Sequence, residues 1–551
     1  MPGPELYQKL AEAFHAEGTR SMFGLLGDGN MHWAAALESL GCRPIYARHE
    51  HCAVSMAIAY ANATGEPGIA SVTCGPGLTQ IMTALTTAAR AEIPLVVFAG
   101  EAPISSRWYN QAADQAPYVT ACGGKYVQAH YPPRMLEQVQ EAFLMARLER
   151  KPVVIGVPLD LQAQTAPPMA NYMPSTAVIP RVGPIMPAPQ DVVACAEEIR
   201  RSERIVLLAG RGAYRSGAAQ ECRQLADKIG AVLATTLPVR GFFHDHPFSL
   251  GVAGGFSTDV AREVFAKADL VIAVGASVSQ HTSDNGKLYP KARVVQIDIR
   301  PVGVHQGRSV ADFYVRADAK AGLAALMQTL GAYSSPGRLR TPELADQIVR
   351  RPADASSFEI EPGLLDPRDV VRALDQALPK DWHIVNSSGH CSYFTTHMVG
   401  RSANRFHAIR EFGAIGNGLS YAIGVAAAYP DHPVVLLDGD GGLLMHAQEL
   451  ETVRRYNLPI LLCILNDGAY GSEIHKLRAD GLSDSGAVFG RGDLSSIAHG
   501  FGLAGDVVRD LSKLPQLVAT FAAQPSGTLL DFHISDRVTS PVIRRAHPRK
   551  H

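Results

Sequence analysis

Two acidic, glycine-rich stretches in the last third of the chain carry its densest chemistry. The first, Asp438-Gly439-Asp440-Gly441-Gly442, follows the apolar run 434–437 directly. The second, Asn466-Asp467-Gly468-Ala469-Tyr470-Gly471, follows the apolar run 460–465. Asp440 stands 27 positions before Asp467, and the residues 443–456 between them have a helical pattern. The segment thus reads as strand, loop, helix, strand, loop. In such a unit both loops fall at the carboxyl edge of one sheet, where α/β folds bind ligands. Glycines let the backbone approach an anion closely, and the following helix points N–H groups at it. A carboxylate with a second oxygen donor suits Mg²⁺ or Ca²⁺, and either cation bridges the oxygens of a diphosphate. The same residues also suit a plainer role as acidic turns that cap helices.

The elements around these loops repeat along the chain. Short, continuously apolar runs at 94–100 and 152–158, and the same texture at 205–210, 270–275, 294–299, 434–437 and 460–465, suit strands buried on both faces of a parallel sheet. Helical stretches such as 51–63 and 218–229 lie between them. This alternation predicts α/β architecture in three doubly wound parallel-sheet domains. Pro-rich connectors at 166–189 and 334–362 cut the chain into expected domains 1–165, 190–333 and 363–551.

Bulk properties exclude several classes. The 551 residues carry 51 Lys+Arg against 52 Asp+Glu, a net charge of −1, with no basic block beyond the tail 544–551. That balance argues against nucleic acid and an anionic membrane face as partners, and the tail reads as a frayed terminus. With 46% hydrophobic residues a large core is expected. No predominantly apolar run reaches the roughly 18–20 residues of a bilayer span, and no signal peptide is visible at the start. The eight cysteines are widely spaced without a CxxC pair, which predicts reduced thiols and a cytoplasmic location.

With its spacing, the GDG at 439–441 followed by Asn466-Asp467 resembles the signature of thiamine diphosphate (ThDP) enzymes, GDG and then NN. Asp467 departs from the family's second Asn; it keeps the oxygen and adds a negative charge that favours a cation but repels a diphosphate. The likeness extends over nearly the whole chain. Residues 49–77, with Glu50 opening a helix and Gly75-Pro76-Gly77 closing a TxGPG, resemble the family's first domain, and 205–301 resemble the central domain of acetolactate synthases. Phe412-Gly413-Ala414-Ile415-Gly416 resembles the turn whose bulky residue, here Ile415, bends the cofactor, and Ser388-Gly389-His390 resembles a second diphosphate loop. The resemblance implies Mg²⁺ held by Asp440, Asp467 and the carbonyl of Ala469. It implies ThDP bound by Glu50, Pro76, Gly389, His390, Gly413, Ile415, Gly439, Asp440, Gly441, Gly442, Asp467, Ala469, Tyr470 and Gly471.

The implied function is decarboxylation of a 2-oxo acid, with the activated aldehyde transferred to a second carbonyl or released. Glu50 would share a proton with a ring nitrogen of the cofactor. The loop 24–30, GLLGDGN, resembles the GLPGDxN of pyruvate and phenylpyruvate decarboxylases, which makes Asp28 a proton-handling candidate. Tyr470-Gly471-Ser472-Glu473 resembles their YxxE, which does the same for Glu473; Asp28 also suits a helix cap, and Glu473 a solvated helix face. The decarboxylases' paired histidines are absent, and 108–115 is closer to the FQExxQ of synthases and acyl-CoA lyases, with Gln111 in place and Ala112 replacing the Glu.

The alternatives are 2-hydroxyacyl-CoA lyase-type cleavage and a catalytically silent ThDP-fold binding protein. His49-Glu50-His51 has the composition of a metal cluster, but residues two apart do not share a helix face. His446 and His475 read as structural or rim residues. Gly210-Arg211-Gly212 and Asp298 invite FAD or ADP in the central domain, yet a full GxGxxG is missing, and neither is favoured. The family's sites lie between subunits, so a homodimer or homotetramer is expected.

Overall fold

The computed structural model describes residues 3–300 and 311–548. Pro301 and the end of the basic tail, Arg549-Lys550-His551, lie outside them. The described chain forms three six-stranded sheets in which every strand pairing is parallel. The first runs in the spatial order Arg43–Tyr46, Ser21–Gly24, Gly68–Val72, Leu95–Glu101, Pro152–Pro158, Lys125–Gln128. The second runs Phe313–Arg316, Arg293–Asp298, Leu270–Val274, Ile205–Ala209, Val232–Thr235, Ser249–Val252. The third runs Phe406–His407, His383–Asn386, Val434–Gly439, Ile460–Asn466, Thr528–His533, Ala504–Val508.

The central strands of each sheet are buried along their length, as continuous apolar runs require when helices cover both faces. Two features depart from the sequence expectation. The helical pattern 443–456 is broken into Asp440–Met445 and Glu449–Arg455, with His446 leaving helical geometry between them. The connector 334–362 contains the helix Pro342–Arg350, started by Thr341, whose side chain accepts from Leu344 N, and by Pro342 in its first turn.

The first and third units share one apolar cluster, and helix against helix makes the joint. Glu50–Thr64 and Gly418–Ala428 lie so close that a Cβ on Gly424 would stand 2.1 Å from the carbonyl oxygen of Met56. Polar ties flank the joint. The buried carboxylate of Glu449 accepts from Arg48 N at 2.9 Å, and Tyr456 Oη accepts from Tyr46 N at 2.8 Å. Because the Glu50 helix is one side of this joint, its packing fixes where Glu50 sits.

Gly424→Val is expected to force the two helices apart and destabilise the chain by about 1–3 kcal/mol. Chemical denaturation of the variant against wild type measures this; unchanged stability would show that the joint tolerates a wider spacing.

Candidate active site

The carboxyl edge of the third sheet forms a cleft of about 50 Å³, lined among others by Gly389, His390, Ile415, Gly439, Asp440, Gly441, Gly442, Asp467, Ala469, Tyr470, Gly471 and Glu473. Asp440 is the first residue of its short helix and Asp467 directly follows its strand, so both carboxylates are delivered by the ends of adjacent strands. Asp440 Oδ2 accepts from Gly468 N at 2.9 Å, and Asp467 Oδ1 accepts from Ala469 N at 3.2 Å. Burial raises the Asp440 carboxyl to about 6. Burial, and then the charge of Asp440, pushes Asp467 well above the usual range. Asp438, immediately behind them, is raised by burial to about 7.

Among the described residues, no Lys or Arg forms an ion pair with any of these three carboxyls. The carbonyl oxygen of Ala469 likewise accepts no hydrogen bond among them. Two facing carboxylates and a free carbonyl, without an ion-paired cation, form an oxygen donor set that fits a hard divalent cation. No group of three or more His, Cys, Asp and Glu is placed to hold a metal among the described residues, so the remaining ligands would come from a bound phosphate. The loop backbone comes close enough to matter. A Cβ on Gly442 would meet Asp438 Oδ1 at 2.6 Å, and one on Gly471 would meet Asp467 Oδ2 at 2.5 Å. His390 Nε2 accepts from Ser540 N at 3.0 Å, and burial holds its imidazole neutral. Tyr470 rests edge-on against Phe489, with 5.3 Å between the ring centres.

Glu50, Pro76, Gln111 and Asp28 gather at the carboxyl edge of the first sheet, and none of them lines this cleft. Glu50 is 8% exposed at the start of its helix, where Oε2 accepts from Gln80 Nε2 at 3.2 Å. Pro76 opens the short helix Pro76–Thr79 that carries Gln80 past Glu50. The preceding Gly75, at φ +57°, lies where a Cβ would strike the Gln111 carbonyl at 2.2 Å. Gln111 Oε1 accepts from Cys74 Sγ at 3.3 Å. Asp28 is exposed on the neighbouring loop, and its charge reaches both Cys74 and Tyr109. It does not cap the following helix, because Asn30 occupies that position. Gly413, at φ +73°, lies outside the lining of the cleft.

Glu473 lines the cleft mouth, is exposed, and pairs with Lys476 at 3.3 Å. Its helix-face and site readings therefore coexist. His49 caps the Glu50 helix, and His51 Nε2 contacts Asn417 Oδ1 at 2.6 Å beneath the stacked ring of His446. Sequence reasoning missed Gln80, the partner of Glu50, and Gln115, whose side chain bonds Gly75 N, Gly100 O and Tyr126 Oη. The spacing of the Gln to the TxGPG turn was the one available signal.

In the second sheet, Gly210 N and Gly212 N donate to the carbonyls of Val274 and Gly275. A Cβ on Gly210 would lie 2.3 Å from Gly275 O. Arg211 reaches away to Ala91 O and to Glu411. The turn is closed against its own sheet.

Three family signatures match the chain in order: "Thiamine pyrophosphate enzyme, N-terminal TPP binding domain" over residues 4–118, the central domain over 192–326, and the C-terminal TPP binding domain over 387–532. The chain belongs to the thiamine pyrophosphate enzyme family and is acetolactate synthase-like. It is 30% identical over 477 residues to a probable acetolactate synthase large subunit of Methanocaldococcus jannaschii, covering 84% of this chain and 80% of that protein. It is 29% identical over 548 residues to the acetolactate synthase large subunit of Parasynechococcus marenigrum, covering 95% and 86%. It is also 28% identical over 546 residues to a probable 2-ketoarginine decarboxylase of Pseudomonas aeruginosa, covering 95% and 93%.

Mg²⁺ with ThDP is expected to raise the thermal unfolding midpoint of the wild type, since a ligand bound only by the folded state stabilises it by mass action. Asp440→Ala should abolish that rise while leaving the midpoint without ligands equal or higher, because one of the crowded buried carboxyls is gone. Calorimetry with and without the two ligands reads both effects; an undiminished rise in the variant would remove Asp440 from the metal site.

Proposed function

We propose that this enzyme uses ThDP and Mg²⁺ to decarboxylate a 2-oxo acid and to pass the activated aldehyde to a second carbonyl or release it. The observation that carries the reading is the set of Asp440, Asp467 and the Ala469 carbonyl, buried without a cationic partner beside glycine backbone at a sheet edge. These three would hold the metal. Gly389, His390, Gly439, Gly441, Gly442, Tyr470 and Gly471 would surround the diphosphate, with Gly413 and Ile415 supporting the bend of the cofactor. When bound, ThDP supplies a carbon nucleophile for the substrate carbonyl and a sink for the electron pair left by CO₂.

The chain's own residues then do the proton work. Glu50, buried and steadied by Gln80, would hold a proton at a cofactor ring nitrogen. Asp28 and Glu473, both exposed enough to exchange protons with water, would deliver or accept one at the reacting carbon. Gln111 and Pro76 would shape the wall between them. Names of relatives support both outcomes of the reaction, a synthase and a decarboxylase.

The cleft takes its lining from the third unit alone, while Glu50 lies in the first. Exposed apolar side chains such as Trp108, Met31, Phe412 and Met445 flank both halves. These features support a homodimer or homotetramer in which one subunit's Glu50 half faces another's Asp440 half. The eight free thiols, seven of them buried, support a cytoplasmic location. No helix of the described residues is long and apolar enough to cross a membrane.

Incubated with ThDP, Mg²⁺ and a panel of 2-oxo acids, the protein is expected to release CO₂ and form an aldehyde or hydroxy ketone. Glu50→Gln should lower kcat by about 10²–10⁴-fold. No CO₂ from any oxo acid, together with cleavage of a 2-hydroxyacyl-CoA, would replace this reading with a lyase.

A further inference from the structure

A cavity lies away from the cofactor cleft, between the second and third units, and encloses about 870 Å³. That is within the usual size of small-molecule sites. Its walls are apolar in part, with Leu250, Val252, Phe256 and Phe406 among the lining residues. Most of the arginines at its rim are already matched: Arg351 with Glu263, Arg350 with Asp346, and Arg368 with Asp366.

Arg240 is the exception. It is 9% exposed, and no carboxylate among the described residues lies within ion-pair distance of it. Its guanidinium donates to Thr395 Oγ1 at 3.1 Å and to the Met398 carbonyl, and lies 4.6 Å over the ring of Phe406. Those two bonds leave three of the five N–H donors without an acceptor among the described residues. Asp375, whose charge it feels, is engaged by Lys380 at 2.8 Å and by Arg401 at 3.5 Å. A buried cation left in this state is costly, and an anion is what would relieve it.

A second feature points the same way. Residues 395 and 398, which Arg240 brackets, flank His397, another lining residue. His397 is 7% exposed, and its Nε2 is buried with no hydrogen-bond partner among the described residues. Burial, then Arg372 and Arg368, hold its imidazole neutral, so it offers a donor without charge. One positive charge and one neutral donor match a single negative charge better than a dianionic phosphate. The planar fork of Arg240 matches a carboxylate in particular.

We propose that this cavity is a second binding site, for a monocarboxylate carried on an apolar body, with Arg240 and His397 receiving the carboxylate and the Phe256–Phe406 wall receiving the body. The site is separate from the reaction proposed above. It is nevertheless connected to it, because the eight-residue segment His390–His397 starts in the cofactor cleft and ends in this cavity.

Isothermal titration calorimetry of the full-length chain with octanoate, octanol and inorganic phosphate tests the site. Octanoate should bind the wild type, octanol should bind about tenfold more weakly or not at all, and phosphate should not displace octanoate. Arg240→Met should weaken octanoate by about tenfold or more. Ser249→Trp, at a half-buried wall position, should block binding while leaving Arg240 in place, so the proposal stays testable if the first variant misfolds. It is overturned if octanoate does not bind, if octanol binds equally well, if phosphate competes, or if Ser249→Trp binds octanoate as tightly as wild type.

Discussion

Three carboxyls buried at the ends of two adjacent strands, with no Lys or Arg ion-paired to them among the described residues, set the terms for the rest of this structure. Asp438, Asp440 and Asp467 sit where two adjacent parallel strands end, and burial raises all three above the ordinary carboxyl range. Their accumulated negative charge is a liability to the isolated fold. Around them the chain supplies backbone in close approach, a neutral histidine and a free carbonyl, and among the described residues no lysine or arginine forms an ion pair with them. The arrangement is reasonable only as one half of a larger coordination sphere. The glycines on these loops leave no room for a side chain, since a Cβ on Gly442 would meet Asp438 Oδ1 at 2.6 Å and one on Gly471 would meet Asp467 Oδ2 at 2.5 Å.

The second requirement is a buried acid placed independently of that cluster. Glu50 is set by the joint between two helices from distant parts of the chain, where Gly424 permits contact with Met56, and by the Gln80 amide. The two functional halves are thus built on two different sheets of the same type. The middle sheet contributes neither half. Its glycine turn is closed on itself, and Arg211 spans from it to both neighbours, through Ala91 and Glu411. Its border with the third unit encloses the cavity lined by Arg240.

Much of this architecture was legible in the sequence for a physical reason. Strands buried on both faces must be apolar at every position, so runs such as 152–158 and 460–465 announce themselves without alternation. The acidic loops were legible because glycine and aspartate directly after such a run have few other uses. What stayed hidden depends on contacts between distant residues. The break at His446 is not marked by proline or glycine; it coincides with a bond from the ring to Gly416 O and stacking on His51. Gln80 and Gln115 gain meaning only once the TxGPG turn is folded against Glu50 and Gln111. The N-cap of the helix after the GLLGDGN loop fell to Asn30, which left Asp28 free at the surface, a choice between neighbours that the sequence leaves open.

On the proposed reading, catalysis needs the Glu50 half of one chain and the Asp440 half of another. Mixing two inactive variants, Glu50→Gln and Asp440→Ala, under conditions that exchange subunits tests this directly. A mixed pair contains one intact site only if the halves meet across chains. The account predicts that 2-oxo acid decarboxylation reappears on mixing. Exchange of subunits without any recovered activity would contradict it and place the whole site within one chain.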